Sequence, residues 1–279
     1  MTGWATSRRG ISGCVVAGGV CAALFAAVTT PILAQEPVDV ELVLAVDVSL
    51  SMSPDELRIQ RDGYVAALTH EDVIRAIEDG LYGKIAITYF EWAGDSSQHV
   101  IVPWTTIASA EDAERVASRL TAQPPGSARR TSISGAINFA RDIFAESAYK
   151  GARRVLDISG DGPNNQGSRV DVARDELVSK GITINGLPLM TNGGAASSFS
   201  IDDLDNYYAQ CVIGGPGAFM IPVNDWTQFP EAIRRKLVIE LAGRNPSDFL
   251  VMTAASEGKY DCLIGEKMWD DRFWMWNDP

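Results

Sequence analysis

Histidine is nearly missing from this chain: His70 and His99 are the only two, and neither has a cysteine near it in sequence. A zinc site of imidazole and thiolate therefore lacks its ligands. With no usable histidine and no Gly-x-Ser-x-Gly pentapeptide, a serine hydrolase has neither base nor nucleophile elbow. Positive charge is short as well, 24 Lys and Arg against 36 Asp and Glu, a formal net charge of −12. A surface this acidic repels nucleic acid and anionic membrane, so neither is an expected partner, whereas cations are. Cysteine occurs four times, and two of the four, Cys14 and Cys21, lie in an N-terminal apolar stretch. Nothing repeats at a fixed period, which excludes solenoids and propellers.

That N-terminal stretch, residues 1–34, reads as a secretory signal. Arg8 and Arg9 make a basic start, residues 10–28 are small and apolar, and Ile32-Leu33-Ala34 offers a cleavage site. The arginine pair leaves twin-arginine export open beside the general route, and the many Gly and Ala residues argue against a retained membrane anchor. Cleavage would remove two arginines and no acids, leaving 22 bases, 36 acids and a charge of −14. The expected product is a periplasmic or secreted bacterial protein with no membrane insertion after cleavage. It keeps two cysteines, Cys211 and Cys262. In an exported protein two thiols more often pair than stay free, although two buried, unpaired cysteines are the alternative. A bond would close a loop of about 50 residues, worth roughly 3–4 kcal/mol in the chain-entropy model.

From residue 40 onward strand and helix patterns alternate. The spacing predicts strands at 40–48, 84–92, 99–104, 154–159, 182–189 and 218–223, and helices at 54–68, 71–78, 109–120, 133–149, 170–179, 202–208 and 226–241. Only about six residues separate the second and third strands, too few for a parallel crossover, so the third is an antiparallel hairpin partner. The fold class is α/β: a doubly wound, mostly parallel six-stranded sheet with helices on both faces and one antiparallel edge strand. Residues 191–200 are small and polar, an exposed loop. The tail, residues 245–279, carries Trp269, Phe273, Trp274 and Trp276. Four aromatics so close together are expected to pack on the same domain, with a partner or oligomer patch as the alternative.

The first strand runs out into Asp47-Val48-Ser49-Leu50-Ser51. With a side-chain period of two, Asp47, Ser49 and Ser51 leave on one side, at the carboxyl end where open α/β sheets bind ligands. One carboxylate and two hydroxyls are hard donors that suit a magnesium-like cation better than zinc. The plainer reading is a helix cap, by Ser51 or Ser53, ahead of Pro54-Asp55-Glu56. Two later features favour the cation. Thr131 precedes a helical pattern, and the strand Val155-Leu156-Asp157-Ile158-Ser159 exits through Gly160 to Asp161.

In this order the elements resemble the von Willebrand factor A domain and its metal-ion-dependent adhesion site (MIDAS), over residues 40–243 within a domain of 38–244. The resemblance implies Asp47, Ser49, Ser51, Thr131 and Asp161 as ligands of Mg²⁺ or Mn²⁺, and a protein partner whose Asp or Glu completes the coordination. The last position departs from the family's usual Thr-Asp-Gly or Ser-Asp-Gly, because Gly160 separates Ser159 from Asp161. The loops bearing Met52, residues 91–97 and residues 164–168 are the expected walls. An Mg-dependent hydrolase or phosphoryl-transfer enzyme is the rival, although a haloacid-dehalogenase-like phosphatase needs a second Asp where Ser49 stands. A scaffold with a degenerate site is the third reading. Gly214-Gly215-Pro216-Gly217 precedes a strand and reads as a turn. The stretch 207–217 and Arg234-Arg235-Lys236-Leu237 resemble a family of exported bacterial proteins with a domain of unknown function (DUF1194-like), which implies export and supplies no activity.

Overall fold

The computed structural model describes residues 1–4, 35–191, 200–243, 252–253 and 260–277. Met1–Ala34 and Gln35–Pro279 are separate units, and of the first only residues 1–4, without regular structure, are described. The expected signal segment beyond them and most of the 191–200 loop lie outside the described residues, as do the side chains of Phe273, Trp274 and Trp276.

β1 (Glu36–Asp47) is an interior strand of the sheet because its residues are apolar on both faces. Val40, Leu42, Leu44 and Val46 enter one core, and Val43 and Ala45 the other. It pairs in parallel with β2 (Ile85–Trp92) and β4 (Tyr149–Gly160). The full order is β3-β2-β1-β4-β5-β6-β7, with β3 (Gln98–Ile107), β5 (Thr183–Pro188), β6 (Phe219–Met220) and β7 (Met252–Thr253). β3 is the antiparallel edge strand expected from the short connection. Beyond the six expected strands, the two-residue β7 adds an antiparallel seventh at the far edge.

The helices are α1 (Pro54–Leu68), α2 (Glu71–Glu78), α3 (Ala110–Thr121), α4 (Ile133–Ala145), α5 (Val170–Ser179), α6 (Leu204–Tyr207), α7 (Phe229–Ala242) and α8 (Ile264–Asn277). Residues of α1, α2, α3 and α7 cover one face, and those of α4, α5 and the turn after α6 the other.

Several boundaries differ from the sequence reading; β1, β3 and β4 are longer than expected and α7 opens at Phe229. α4 stops at Ala145, because the Ser147 hydroxyl accepts from Tyr149 N (3.2 Å) and turns the chain into β4, which opens at Tyr149. β6 holds two residues where six were expected; beyond Pro222 the chain still touches β5, but only through the single parallel bridge Leu189–Val223. The 202–208 helix is shorter and runs into a π-helical turn, Tyr208–Val212. The capping question is settled at Ser53. Its hydroxyl accepts from Glu56 N while Glu56 accepts from Ser53 N, a reciprocal capping box that leaves Ser51 free. His70 caps α2 through Nδ1, and His99 is exposed on β3.

A charged cluster lies under α7. Lys236 Nζ is 2.7 Å from Asp157 Oδ1 and 2.5 Å from Glu240 Oε1, with all three side chains fully buried. Glu240 Oε1 also accepts from Asn185 Nδ2 (2.8 Å). The Asp157 ion pair is outside hydrogen-bond geometry, so among the described residues neither carboxylate oxygen has a hydrogen-bond partner. Burial, and then the charge of Glu240, push the Asp157 carboxyl up to about 7 against the pull of Lys236. Between the unfolded value near 3.8 and this folded value, the native state binds a proton that the unfolded chain has lost. Stability is therefore expected to fall as pH rises from about 4 to 7, by roughly 2–4 kcal/mol from this group. Denaturant unfolding at pH 5 and pH 8, beside Asp157→Asn, isolates the effect; an equal fall in the variant would assign it elsewhere.

Candidate metal centre

Asp47 ends β1 between β2 and β4, at the point where the chain's connections diverge to opposite sides of the sheet. It is fully buried. Its carbonyl accepts from Gln60 Nε2 of α1 (2.9 Å), and its Oδ1 accepts from Ser49 N (2.7 Å), curling the chain off the sheet. The Ser49 and Ser51 hydroxyls are 2.7 Å apart, and Ser51 Oγ donates to Asp161 Oδ1 at 2.7 Å. With its proton committed to Asp161, Ser51 accepts from Ser49. Four of the five expected residues thus form one hydrogen-bonded chain, buried at Asp47 and reaching solvent at Ser51.

Gly160 explains the departure from the usual motif. A Cβ there would come within 2.8 Å of Tyr208 Oη and 3.0 Å of Asp47 Oδ2, so a side chain would close the space those atoms share. The extra residue does not keep Asp161 away.

Thr131 arrives by a different route. It is buried in the loop before α4, its N–H donating to Asn165 Oδ1 (3.0 Å) and its carbonyl accepting from Asn165 N (2.8 Å). The same loop reaches the Asp47 turn through Ala128, whose carbonyl accepts from Leu50 N (2.9 Å) and whose N–H donates to Val48 O (3.1 Å). Among the described residues no hydrogen bond joins Thr131 to the other four. Its neighbour Arg130 has φ of 75°, a left-handed conformation that costs a residue with a side chain roughly 1–3 kcal/mol.

The expected walls need correction. The Met52 side chain belongs to the core, and its backbone N donates to Ser49 O in the tight turn. Glu91 is buried against Arg61 and accepts from Gly126 N (2.9 Å), fastening the Pro124-Pro125-Gly126 segment to the sheet. Segments 91–97 and 164–168 do meet at Ser132, whose hydroxyl lies 2.8 Å from Gln166 O and 3.4 Å from Asp95 Oδ1.

Charge is the dominant feature of the site. Asp47 Oδ2 is buried, with no hydrogen-bond partner among the described residues. Burial, then the nearby Asp161, raise the Asp47 carboxyl well above its ordinary range. Burial, with Glu56 adding repulsion, pushes Asp161 up to about 6. Two carboxylates that resist ionisation beside each other, one with an orphaned buried oxygen, fit a cation between them.

Gln60 and Tyr208 escaped sequence reasoning, and Asn165 was expected only as part of the 164–168 wall and not as the residue that holds Thr131. Gln60 was legible in part, since it falls on the inward face of α1 with Leu57, Tyr64 and Leu68. Tyr208, whose Oη has no hydrogen-bond partner among the described residues, carries no local signal of its role.

The doubly wound fold, with Asp-x-Ser-x-Ser leaving an interior strand and a carboxylate leaving the strand beside it, is that of a von Willebrand factor A-like domain. The chain belongs to the family described as Protein of unknown function (DUF1194), whose model matches residues 37–245. No curated protein matches it in sequence. Among solved structures it is similar to proximal thread matrix protein 1 from the mussel byssus, a structure with a zinc-occupied MIDAS motif. The TM-score is 0.50 at 15% identity, over 75% of this chain and 49% of that one. It is similar also to the pilus adhesin SpaC from Lactobacillus rhamnosus GG, with a TM-score of 0.52 at 12% identity over 74% of this chain and 31% of that one. At such identities the likeness is one of fold, and the chain spans half or less of either relative.

Proposed function

We propose that this protein is an exported binding module that holds Mg²⁺ or Mn²⁺ among Asp47, Ser49, Ser51, Thr131 and Asp161, and through it grips an acidic side chain of a protein partner. The observation that carries the reading is the orphaned Asp47 Oδ2, buried beside a second carboxylate, Asp161, that raises its pKa. Two carboxylates and three hydroxyls are all hard donors, and a dication among them retains affinity for one more anionic oxygen. Ser51 faces solvent, so such an oxygen has access. Thr131 would join by its hydroxyl from the adjoining loop.

Binding is favoured over catalysis because His70 is spent capping α2 and His99 is exposed on β3, away from the role of general base. The fold likeness to a pilus adhesin supports a protein-binding role outside the cytoplasm. Export rests on the signal-like pattern of residues 1–34. No helix among the described residues is long and apolar enough to cross a membrane.

Calorimetric titration of Mg²⁺ and Mn²⁺ into metal-stripped protein, run beside Asp47→Ala, tests the reading. Saturable binding by the wild type and none by the variant is the expected result. Equal behaviour of the two proteins would overturn it. A pull-down with and without chelator then tests the partner: capture that ignores the chelator would remove the metal from the interaction.

A further inference from the structure

The segment that contains α8 docks on the two loops that complete the metal centre. Cys262 is bonded to Cys211 of the π-helical turn, with Cα atoms 5.6 Å apart. Just before it, Tyr260 packs edge-on against Tyr207, ring centroids 5.9 Å apart, and Tyr207 Oη accepts from Asn164 N (3.1 Å). Just after it, Gly265 sits so close to the Asn164 carbonyl that any Cβ would overlap the backbone. Glu266 Oε1 accepts from Asn164 Nδ2 at 2.7 Å. About one turn further, the Trp269 ring lies 3.1 Å from the Arg130 guanidinium carbon.

The residues it touches have neighbours with work in the site. Arg130 precedes Thr131 and holds a left-handed backbone, which persists only where surroundings impose it. Asn164 stands three residues after Asp161, and its side-chain oxygen accepts from Ser134 N (3.0 Å) at the start of α4. The next residue, Asn165, brackets the Thr131 peptide on both sides. Asn164 is fully buried, and its side-chain amide donates to Ser168 O (3.2 Å) as well as to Glu266. A single residue thus connects α8 to both loops.

We propose that α8 is a clamp on the metal centre: tethered by the Cys211–Cys262 disulfide, it fixes Arg130 and Asn164, so that cation affinity depends on the oxidised state of that bond. The inference rests on the metal-binding reading above. Asn164, Gly265, Glu266 and Trp269 are positioning residues that act through Thr131 and Asp161. A dithiol reductant delivers two electrons and two protons to the disulfide, leaving two thiols here and a cyclic disulfide on the reductant. The tether is then lost while every site residue remains.

The test compares Mg²⁺ and Mn²⁺ affinity of the full chain, oxidised and treated with dithiothreitol, with amide hydrogen exchange at Thr131 and Asn165 as a second readout. Reduction is expected to weaken cation binding about 10- to 100-fold, the range seen when outer-shell support is removed from a metal site. Exchange at the two amides should quicken. Gly265→Val, with the disulfide intact, should reproduce both changes; Glu266→Ala should do so in part, and Glu266→Gln, which keeps an acceptor for Asn164, should not. Circular dichroism confirms that each protein is folded, and if reduction unfolds the chain, the Gly265 and Glu266 variants decide. Unchanged affinity and exchange in these variants would overturn the clamp. If the oxidised wild type binds no cation, the metal reading falls and the affinity claim with it, whereas the exchange data still decide whether α8 holds the loops.

Discussion

Lys236→Met is expected to destabilise the protein by about 3–5 kcal/mol, the usual result of removing one partner from a buried ionic cluster. Lys236 is the only cation within salt-bridge distance of Asp157 and Glu240 among the described residues, and all three side chains have no exposure. Methionine fills much the same volume, so the loss is not mainly a cavity. It comes from two acids left facing each other where water cannot enter. Asn185 Nδ2 continues to donate to Glu240, but Asp157 keeps no hydrogen-bond donor at all among the described residues. The loss should shrink at pH 5, where Asp157, already pushed up to about 7 in the intact protein, takes a proton. Denaturant unfolding at pH 5 and 8 measures both effects. A triple variant with Asp157→Leu and Glu240→Leu added should recover most of the stability, since a well-packed apolar trio often equals a buried ionic one. A loss below about 1 kcal/mol at pH 8 would mean that the cluster is solvated or already neutral.

This cluster also shows where a sequence stops being readable. Asp157 inside the apolar run of β4 is visible as an anomaly, and Lys236 and Glu240 both fall on the inward side of α7 with Ile233 and Leu237. What links them is a contact across 79 residues, which no local period encodes. The metal centre divides in the same way. Asp47, Ser49 and Ser51 could be placed together because one strand's period of two governs them. Asp161 could be placed as the carboxylate at the exit of a second buried strand; that β4 lies beside β1 and ends level with it, Ser159 pairing with Val46, is what the structure adds. Thr131, by contrast, is held by Asn165 from the far loop, and Gly160 is required by Tyr208, 48 residues later. Contacts of that kind are products of tertiary packing, as is the meeting of Asn164 with Glu266. The element boundaries follow the same logic: β4 begins earlier than its own pattern predicts because it pairs along most of β1, from Glu36 with Tyr149 to Val46 with Ser159.

In the metal-free protein, Asp47→Asn should raise stability by about 1–3 kcal/mol while abolishing cation binding, because it removes a buried charge that lacks a partner. Asparagine keeps the oxygen that accepts from Ser49 N, so the turn off β1 survives. It replaces the orphaned Oδ2 with an amide nitrogen, beside a Tyr208 hydroxyl that is itself without a hydrogen-bond partner among the described residues. Repulsion from Asp161 also disappears. Saturating Mg²⁺ should then reverse the order. At a hundredfold excess over its Kd, a ligand that binds only the folded state adds about 2.7 kcal/mol, which the wild type gains and the variant does not. Thermal unfolding of both proteins, with chelator and with Mg²⁺, gives all four values in one experiment. A crossover identifies the carboxylate as a group kept for its ligand at the expense of the fold, as functional sites commonly are. If the asparagine variant were the less stable protein with chelator present, the Asp47 charge would be serving the fold itself, and the case for a cation receptor at the end of β1 would lose its main support.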